Sequence, residues 1–144
     1  MRKFDLIIFG ATGFTGRYVV ERFAQTVQKF GLPTRWAIAV RNTTKMKQYL
    51  GEIEATTGIA DLKNKVPLIE ANGSDVKSMA KAFQNASMVM NCIGPYSLLG
   101  EPVVKACIDS SMYSNVYECT MITNSVFVHP QKPTTWTSPV NHCF

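Results

Sequence analysis

The chain has 144 residues, a length typical of one domain, and 46% of them are hydrophobic, enough for a substantial core. Only 17% are charged, too few for an intrinsically disordered protein. The net charge of +5 comes from basic residues scattered along the chain, which argues against a nucleic-acid partner and suits a small ligand that carries phosphate. No stretch reaches the roughly 20 apolar residues that cross a bilayer, so we expect no transmembrane segment.

A glycine-rich turn, GATGFTG, follows the apolar run at residues 6–9 and precedes an amphipathic pattern. Strand, tight turn and helix in this order predict the start of a dinucleotide-binding unit, although a purely structural turn is the alternative. We expect Gly10 to allow the turn, Gly13 to let a pyrophosphate approach the backbone and Gly16 to let the helix pack closely. The helix N-terminus favours an anion. The predicted cofactor-binding residues here are Gly10, Ala11, Thr12, Gly13, Phe14, Thr15 and Gly16.

The first helix should run to about Phe30, with Gly31 near its end, and a buried strand should follow over residues 35–41. In a dinucleotide fold the end of this second strand faces the adenosine ribose, where an acid selects NAD. Arg41 occupies that place, followed by Asn42, and a guanidinium pairs well with a 2′-phosphate. We therefore predict that NADP is the cofactor and that both residues bind it. The alternative is a solvated arginine at the end of a strand.

Strands and helices continue to alternate as far as about residue 110. We expect a helix capped by Thr43 or Thr44, a strand over 66–71, a helix started by Ser74 or Asp75, and a strand over 87–93. A further helix should open at Gly100–Pro102 and bury Val104, Cys107 and Ile108 on one face. This alternation predicts an α/β fold, a Rossmann-like doubly wound parallel sheet.

The fourth strand ends in NCIGPY, and the carboxyl ends of parallel strands line the ligand crevice. Here we predict five cofactor-binding residues, Asn91, Cys92, Gly94, Pro95 and Tyr96. Buried Asn91 needs a partner, which is either backbone or ligand. Cys92 has no identifiable base, so a nucleophilic role is disfavoured.

The four cysteines form no C-x-x-C pair. Cys92 and Cys107 are expected to be small buried residues in a reducing compartment, which suggests an intracellular, cytoplasmic protein. A zinc site built from the cysteines and histidines near the C-terminus is disfavoured because their spacing matches no usual pattern. We therefore predict no metal site.

The regular pattern breaks at about residue 111, where serine, threonine, asparagine and proline become frequent. We therefore divide the chain into a nucleotide-binding domain at 1–110 and a divergent, partly disordered, irregular tail at 111–144, with one candidate strand at 123–128. The sheet is then incomplete, and its exposed edge strand could mediate a homo- or hetero-oligomer.

Four motifs in order, GATGFTG, WAIAVR, NCIGPY and GEPVVKAC, resemble the NADP-binding domain of saccharopine dehydrogenase-like oxidoreductases over about residues 4–109. The resemblance implies that residues 10–16 hold the pyrophosphate, that Arg41 lies by the adenosine phosphate and that residues 91–96 lie beside the nicotinamide. It also allows association with lipid droplets or a mitochondrial membrane. Where the family would continue with another strand this chain diverges, as expected for a truncated isoform or a gene-model error.

Our main functional hypothesis is an NADP-dependent oxidoreductase of this group that acts on an unknown small-molecule substrate. No side chain is recognisable as its catalytic acid or base, and no tyrosine has a lysine four residues later, as short-chain reductases require. The first alternative is a non-catalytic truncated isoform that binds nucleotide or a full-length partner. The second is a nucleotide-sugar or isoflavone-type reductase, which NCIGPY and GEPVV disfavour.

Overall fold

The computed structural model describes residues 2–110, 116–122 and 125–131, with side chains described up to residue 110 except that of Tyr96. Strands and helices alternate through most of this range. In chain order they are β1 (Phe4–Phe9), α1 (Phe14–Phe30), β2 (Trp36–Val40), α2 (Thr43–Thr57), α3 (Leu62–Lys65), β3 (Leu68–Glu70), α4 (Val76–Phe83), β4 (Ala86–Asn91), α5 (Tyr96–Ser110), β5 (Val116–Ile122) and β6 (Ser125–Gln131).

One sheet joins these strands in the order β3-β2-β1-β4-β6-β5. The four strands from β3 to β4 are parallel, β6 runs antiparallel to β4, and β5 runs antiparallel to β6. The sheet is built outward from β1 in two directions: β2 and β3 lie on one side of it, and β4 lies on the other. The parallel part confirms the predicted α/β Rossmann-like fold, and its crevice should lie beside β1, where the two directions meet.

Side chains of β1 alternate between two cores, one on each face of the sheet. Leu6 and Ile8 pack on the side that holds Val20 of α1 and Leu50 of α2. The opposite face is built around residues of β1, α4 and α5, among them Ile7, Phe9, Met79, Phe83 and Val103. A strand that is buried on both faces is apolar at every position, which explains the uninterrupted apolar run at residues 6–9.

Some helix ends lie where the sequence predicts them and others do not. Helix α1 ends at Phe30, as predicted, because Gly31 adopts the left-handed conformation with φ +58°. Asp75 caps α4, also as predicted. Helix α2 is capped by Asn42 rather than by Thr43 or Thr44, since the Asn42 side chain accepts the Lys45 N–H.

The prediction for the start of α5 was wrong. The helix begins at Tyr96, so Pro102 lies inside it rather than in its first turn. Its inner face follows from this earlier start: Val103, Ala106 and Cys107 are buried, whereas Ile108 is 49% exposed.

The predicted irregular tail also differs from the structure where the backbone is described. Residues 116–122 and 125–131 are strands, and the latter overlaps the strand expected over 123–128. Valine, isoleucine, tyrosine and phenylalanine in these segments favour strands, and this propensity outweighs the polar residues between them. Because β6 pairs with β4, the edges of the described sheet are β3 and β5. The rest of the predicted tail lies outside the described residues.

Candidate functional site

Two of the three glycines in the first turn are required by the packing of the backbone. Gly10 has φ +81°, and a Cβ on it would lie 2.6 Å from the Ile93 backbone nitrogen. A Cβ on Gly16 would overlap the Gly10 carbonyl and lie 2.7 Å from the Ala11 Cα. Both clashes are with backbone atoms, which cannot rotate away, so the fold itself demands glycine at these two positions.

Gly13 differs from both because its surroundings do not require a glycine. It is exposed, its φ of −74° and ψ of 169° are available to any residue, and a Cβ would come only within an ordinary 3.5 Å of the Gly10 carbonyl oxygen. Gly13 is the N-cap of α1, and the first turn of that helix contains no acidic residue. The first N–H groups of an α-helix have no intrahelical acceptors. The arrangement fits an anion brought close to the backbone.

The remaining residues of the turn differ in exposure. Ala11 is buried and Thr12 is half-buried, while Thr15 is exposed. Phe14 is 84% exposed, and its ring lies 5.7 Å from that of Tyr18, one helical turn later. The exposed part of the turn therefore consists of Gly13 and the side chains of Phe14 and Thr15.

Arg41 and Asn42 follow β2 at the same edge of the sheet. The Gly10 N–H donates to the Ala39 carbonyl at 3.2 Å, which ties the end of β1 to the end of β2. Arg41 is exposed, while the Asn42 Oδ1 accepts the Lys45 N–H at 2.8 Å. The first turn of α2 contains no acidic residue. Arg41 and the positive end of α2 therefore form a cationic corner beside the glycine turn.

The end of β3 adds residues that the sequence pattern did not identify as part of the site. Asn72 and Arg41 both line a cavity of about 610 Å³ beside this strand. Gly73 lies close to the turn after β4, since a Cβ on it would lie 2.5 Å from the Ile93 Cδ1. The sequence signal for Asn72 and Gly73 is their place directly after a third parallel strand, because the carboxyl ends of such strands line the ligand crevice. Another cavity, of about 580 Å³, is lined by Phe4 and Trp36, at the amino ends of β1 and β2, and Phe4 lines the first cavity as well.

The turn after β4 completes this edge. Asn91 is fully buried, and its Oδ1 accepts the Ile93 N–H at 3.0 Å, so its oxygen has a backbone partner. Cys92 is buried as well, and burial raises the pKa of its thiol to about 11, which leaves it protonated and a poor nucleophile near neutral pH. Gly94 and Pro95 are exposed, and Tyr96 is the first residue of α5.

The predicted site residues thus lie in three turns at one edge of the sheet. The first and last turns touch directly, through Gly10 and Ile93. Within the described part of the chain, no three His, Cys, Asp or Glu side chains cluster as a metal site would need. None of the helices described has both the length and the apolar character needed to span a membrane.

The sequence and the fold are both similar to those of known proteins. Residues 6–117 match the saccharopine dehydrogenase NADP binding domain. A saccharopine dehydrogenase-like oxidoreductase of Rattus norvegicus is 41% identical over 113 residues, covering 76% of this chain and 26% of that protein. A lipid droplet localized protein of Caenorhabditis elegans is 38% identical, covering 76% and 25%. A protein of Arabidopsis thaliana named as a "probable mitochondrial saccharopine dehydrogenase-like oxidoreductase" is 36% identical, covering 74% and 23%.

A solved structure of glucose-6-phosphate 1-dehydrogenase from Mycobacterium avium aligns with a TM-score of 0.53 at 18% identity, covering 76% of this chain and 27% of that one. At this identity the likeness shows the fold alone. The chain spans about a quarter of the length of the curated relatives it matches. The family match supports the nucleotide-binding part of the oxidoreductase hypothesis. By its sequence from 6 to 117, the chain belongs to the saccharopine dehydrogenase NADP-binding domain family, and its cofactor is NADP.

Proposed function

We propose that the three turns at the carboxyl ends of β1, β2 and β4 hold NADP, and that the chain forms the cofactor-binding part of an NADP-dependent oxidoreductase. The observation that carries this proposal is Gly13. It stands at the N-terminus of α1 without a steric or conformational need for glycine within the protein. A pyrophosphate in contact with the backbone supplies that need, because a Cβ would occupy the space of its oxygens.

The cationic corner gives this site its preference for NADP. Arg41 would pair with the 2′-phosphate, and the N-terminus of α2 adds a favourable dipole. Asn42 contributes indirectly, because its side chain caps α2 and so orients that N-terminus. NAD has a hydroxyl in place of the phosphate and gains little from the guanidinium.

NADP supplies hydride transfer when bound, and the protein supplies binding and orientation. Gly94 and Pro95 are exposed at this end of the sheet and would border the nicotinamide half. Buried Cys92 keeps its proton and takes no part in the chemistry. The acid or base that would act on the substrate is not recognisable among the described residues, so substrate chemistry belongs to side chains beyond these three turns.

The test is to measure the affinities for NADPH and NADH side by side by calorimetry. We expect the wild-type chain to prefer NADPH by at least about tenfold, as one charge-assisted pair provides. Arg41→Asp should remove or invert that preference. Arg22→Asp, which makes the same charge change at an exposed position on α1, should retain it. Equal affinities of the wild-type chain for the two cofactors would contradict the proposal.

Two wider proposals follow from the relatives and the sheet. The names of the nematode and plant relatives suggest association with lipid droplets or mitochondria, which imaging of the tagged chain in cells would test. Oligomerisation through a sheet edge would involve β3 or β5, and light scattering would detect it.

A further inference from the structure

Asn91 is a polar side chain with no exposed surface at the end of β4. Burial of an amide costs free energy unless hydrogen bonds compensate, so this position calls for a specific role. Its Oδ1 accepts the Ile93 N–H at 3.0 Å, two residues later, and closes a tight turn over residues 91–93. The side chain therefore fixes the direction in which the backbone leaves the strand.

This turn is fastened to β1 at the point where the glycine turn begins. Phe9 and Asn91 are paired in the parallel ladder, and the Cys92 N–H donates to the Phe9 carbonyl at 2.8 Å. The next residue on β1 is Gly10, and the atom nearest to the position of its missing Cβ is the Ile93 nitrogen, at 2.6 Å. The N–H group that Asn91 holds is thus the surface against which Gly10 rests.

Gly10 in turn determines the shape of the rest of the phosphate turn. Its carbonyl accepts the Gly13 N–H at 3.2 Å, and Gly16 packs directly on the same carbonyl. All of these contacts join backbone to backbone, so a shift of Ile93 cannot be absorbed by rotation of a side chain. A displacement at Ile93 therefore reaches Gly13, where the pyrophosphate is expected.

We propose that Asn91 is a positioning residue for the pyrophosphate: it acts through the Ile93 N–H and Gly10, without touching the cofactor. The proposal rests on the proposed function, since it assumes that the glycine turn holds the dinucleotide. The sequence left open whether Asn91 bonds to backbone or to ligand. On this proposal its oxygen bonds to the Ile93 backbone N–H, and that bond supports the ligand site.

The matched variants Asn91→Ala and Asn91→Ser test it, because they leave cavities of nearly the same size and differ by one oxygen. A serine hydroxyl can accept the same type of turn hydrogen bond, although more weakly. Affinities are measured for NADPH, for 2′-phospho-ADP-ribose, which lacks nicotinamide, and for adenosine 2′-monophosphate, which lacks the pyrophosphate. Thermal melts identify a temperature at which all three proteins are folded.

We expect Asn91→Ala to weaken NADPH and 2′-phospho-ADP-ribose equally, by about tenfold, while adenosine 2′-monophosphate binds unchanged. Asn91→Ser should remain within about threefold of the wild type. Equal losses in the two variants would overturn the proposal. A loss confined to NADPH would also overturn it, since it would indicate a direct contact with the nicotinamide half.

Amide hydrogen exchange at Ile93, measured without ligand, separates this proposal from the proposed function. We expect faster exchange in Asn91→Ala than in Asn91→Ser; identical exchange would refute the role of the Asn91 side chain. If the wild-type chain binds no NADPH, the proposed function fails and this proposal fails with it. If NADPH binds but the exchange and affinities of the two variants coincide, only this proposal fails.

Discussion

Substituting Gly13 with alanine separates the requirements of the fold from those of the ligand. The backbone of Gly13 is extended, and a new Cβ would meet only the Gly10 carbonyl oxygen, at 3.5 Å. Alanine at such a position restricts the unfolded chain, which stabilises a protein by about 0.4–1 kcal/mol. Alanine is also a poorer N-cap than glycine, which costs a similar amount. We therefore expect the free energy of unfolding of Gly13→Ala to stay within about 1 kcal/mol of wild type.

The affinity of the same variant for NADPH should fall substantially. A Cβ on Gly13 would hold the pyrophosphate away from the first-turn N–H groups of α1. Hydrogen bonds to charged groups are worth about 1.5–3 kcal/mol each, so the loss of one weakens binding by about 10- to 100-fold. This single methyl group should thus leave the stability nearly unchanged while it reduces the affinity for NADPH.

Gly16→Ala is the matched control, because it adds the same methyl group three residues away. Its Cβ would lie 2.7 Å from the Ala11 Cα, and overpacking of this kind costs about 1–3 kcal/mol. Urea unfolding and calorimetric NADPH titration of the two variants form the assay. Undiminished affinity in Gly13→Ala would refute our view of the phosphate contact, and wild-type stability in Gly16→Ala would refute our view of the packing.

Three further predictions concern a helix cap, a core aromatic ring and the buried thiol of Cys92. Asp75→Ala should lower the free energy of unfolding by about 1 kcal/mol in urea titrations, because the Asp75 carboxylate caps α4 by accepting the Lys77 N–H at 2.9 Å. Phe83→Ala should cost about 3–5 kcal/mol, since that ring is buried, whereas Phe14→Ala at an 84% exposed position should leave the urea midpoint unchanged. The Cys92 thiol should react with iodoacetamide far more slowly than free cysteine at pH 8, with the rate rising only toward pH 11, because burial raises its pKa to about 11. Mass spectrometry of the peptide that contains Cys92 distinguishes it from the other three cysteines, and rapid alkylation of Cys92 in the folded chain at pH 8 would contradict the burial.

The parallel part of the fold could be predicted from the sequence because each element carries its own local signal. Apolar runs such as residues 6–9 indicate buried strands, and Gly31 ends a helix by a conformation that other residues avoid. The start of α5 was missed because Pro102 resembles a first-turn proline, and only tertiary context allows a helix to continue through it. Strand β5 was missed, and β6 was expected only in part, over 123–128. The pairing of β6 with β4 joins Phe127 to the distant Met90, and no local period reveals such a contact.

The candidate site shows a sharper limit of sequence reasoning, since its three glycines are equivalent in the motif but not in the structure. Gly10 and Gly16 are fixed by backbone contacts, so a G-x-x-G-x-x-G turn would keep both even in a protein that binds no nucleotide. Only Gly13 lacks such a contact, and only there does glycine point to a ligand. Asn91 shows the same limit in a different way. A buried polar residue at the end of a strand suggested a ligand contact, yet its oxygen accepts the Ile93 N–H, and the Ile93 nitrogen lies against Gly10. On our proposal, the specificity of the glycine motif for a dinucleotide lies in Gly13, while Gly10, Gly16 and Asn91 preserve the shape of the turn.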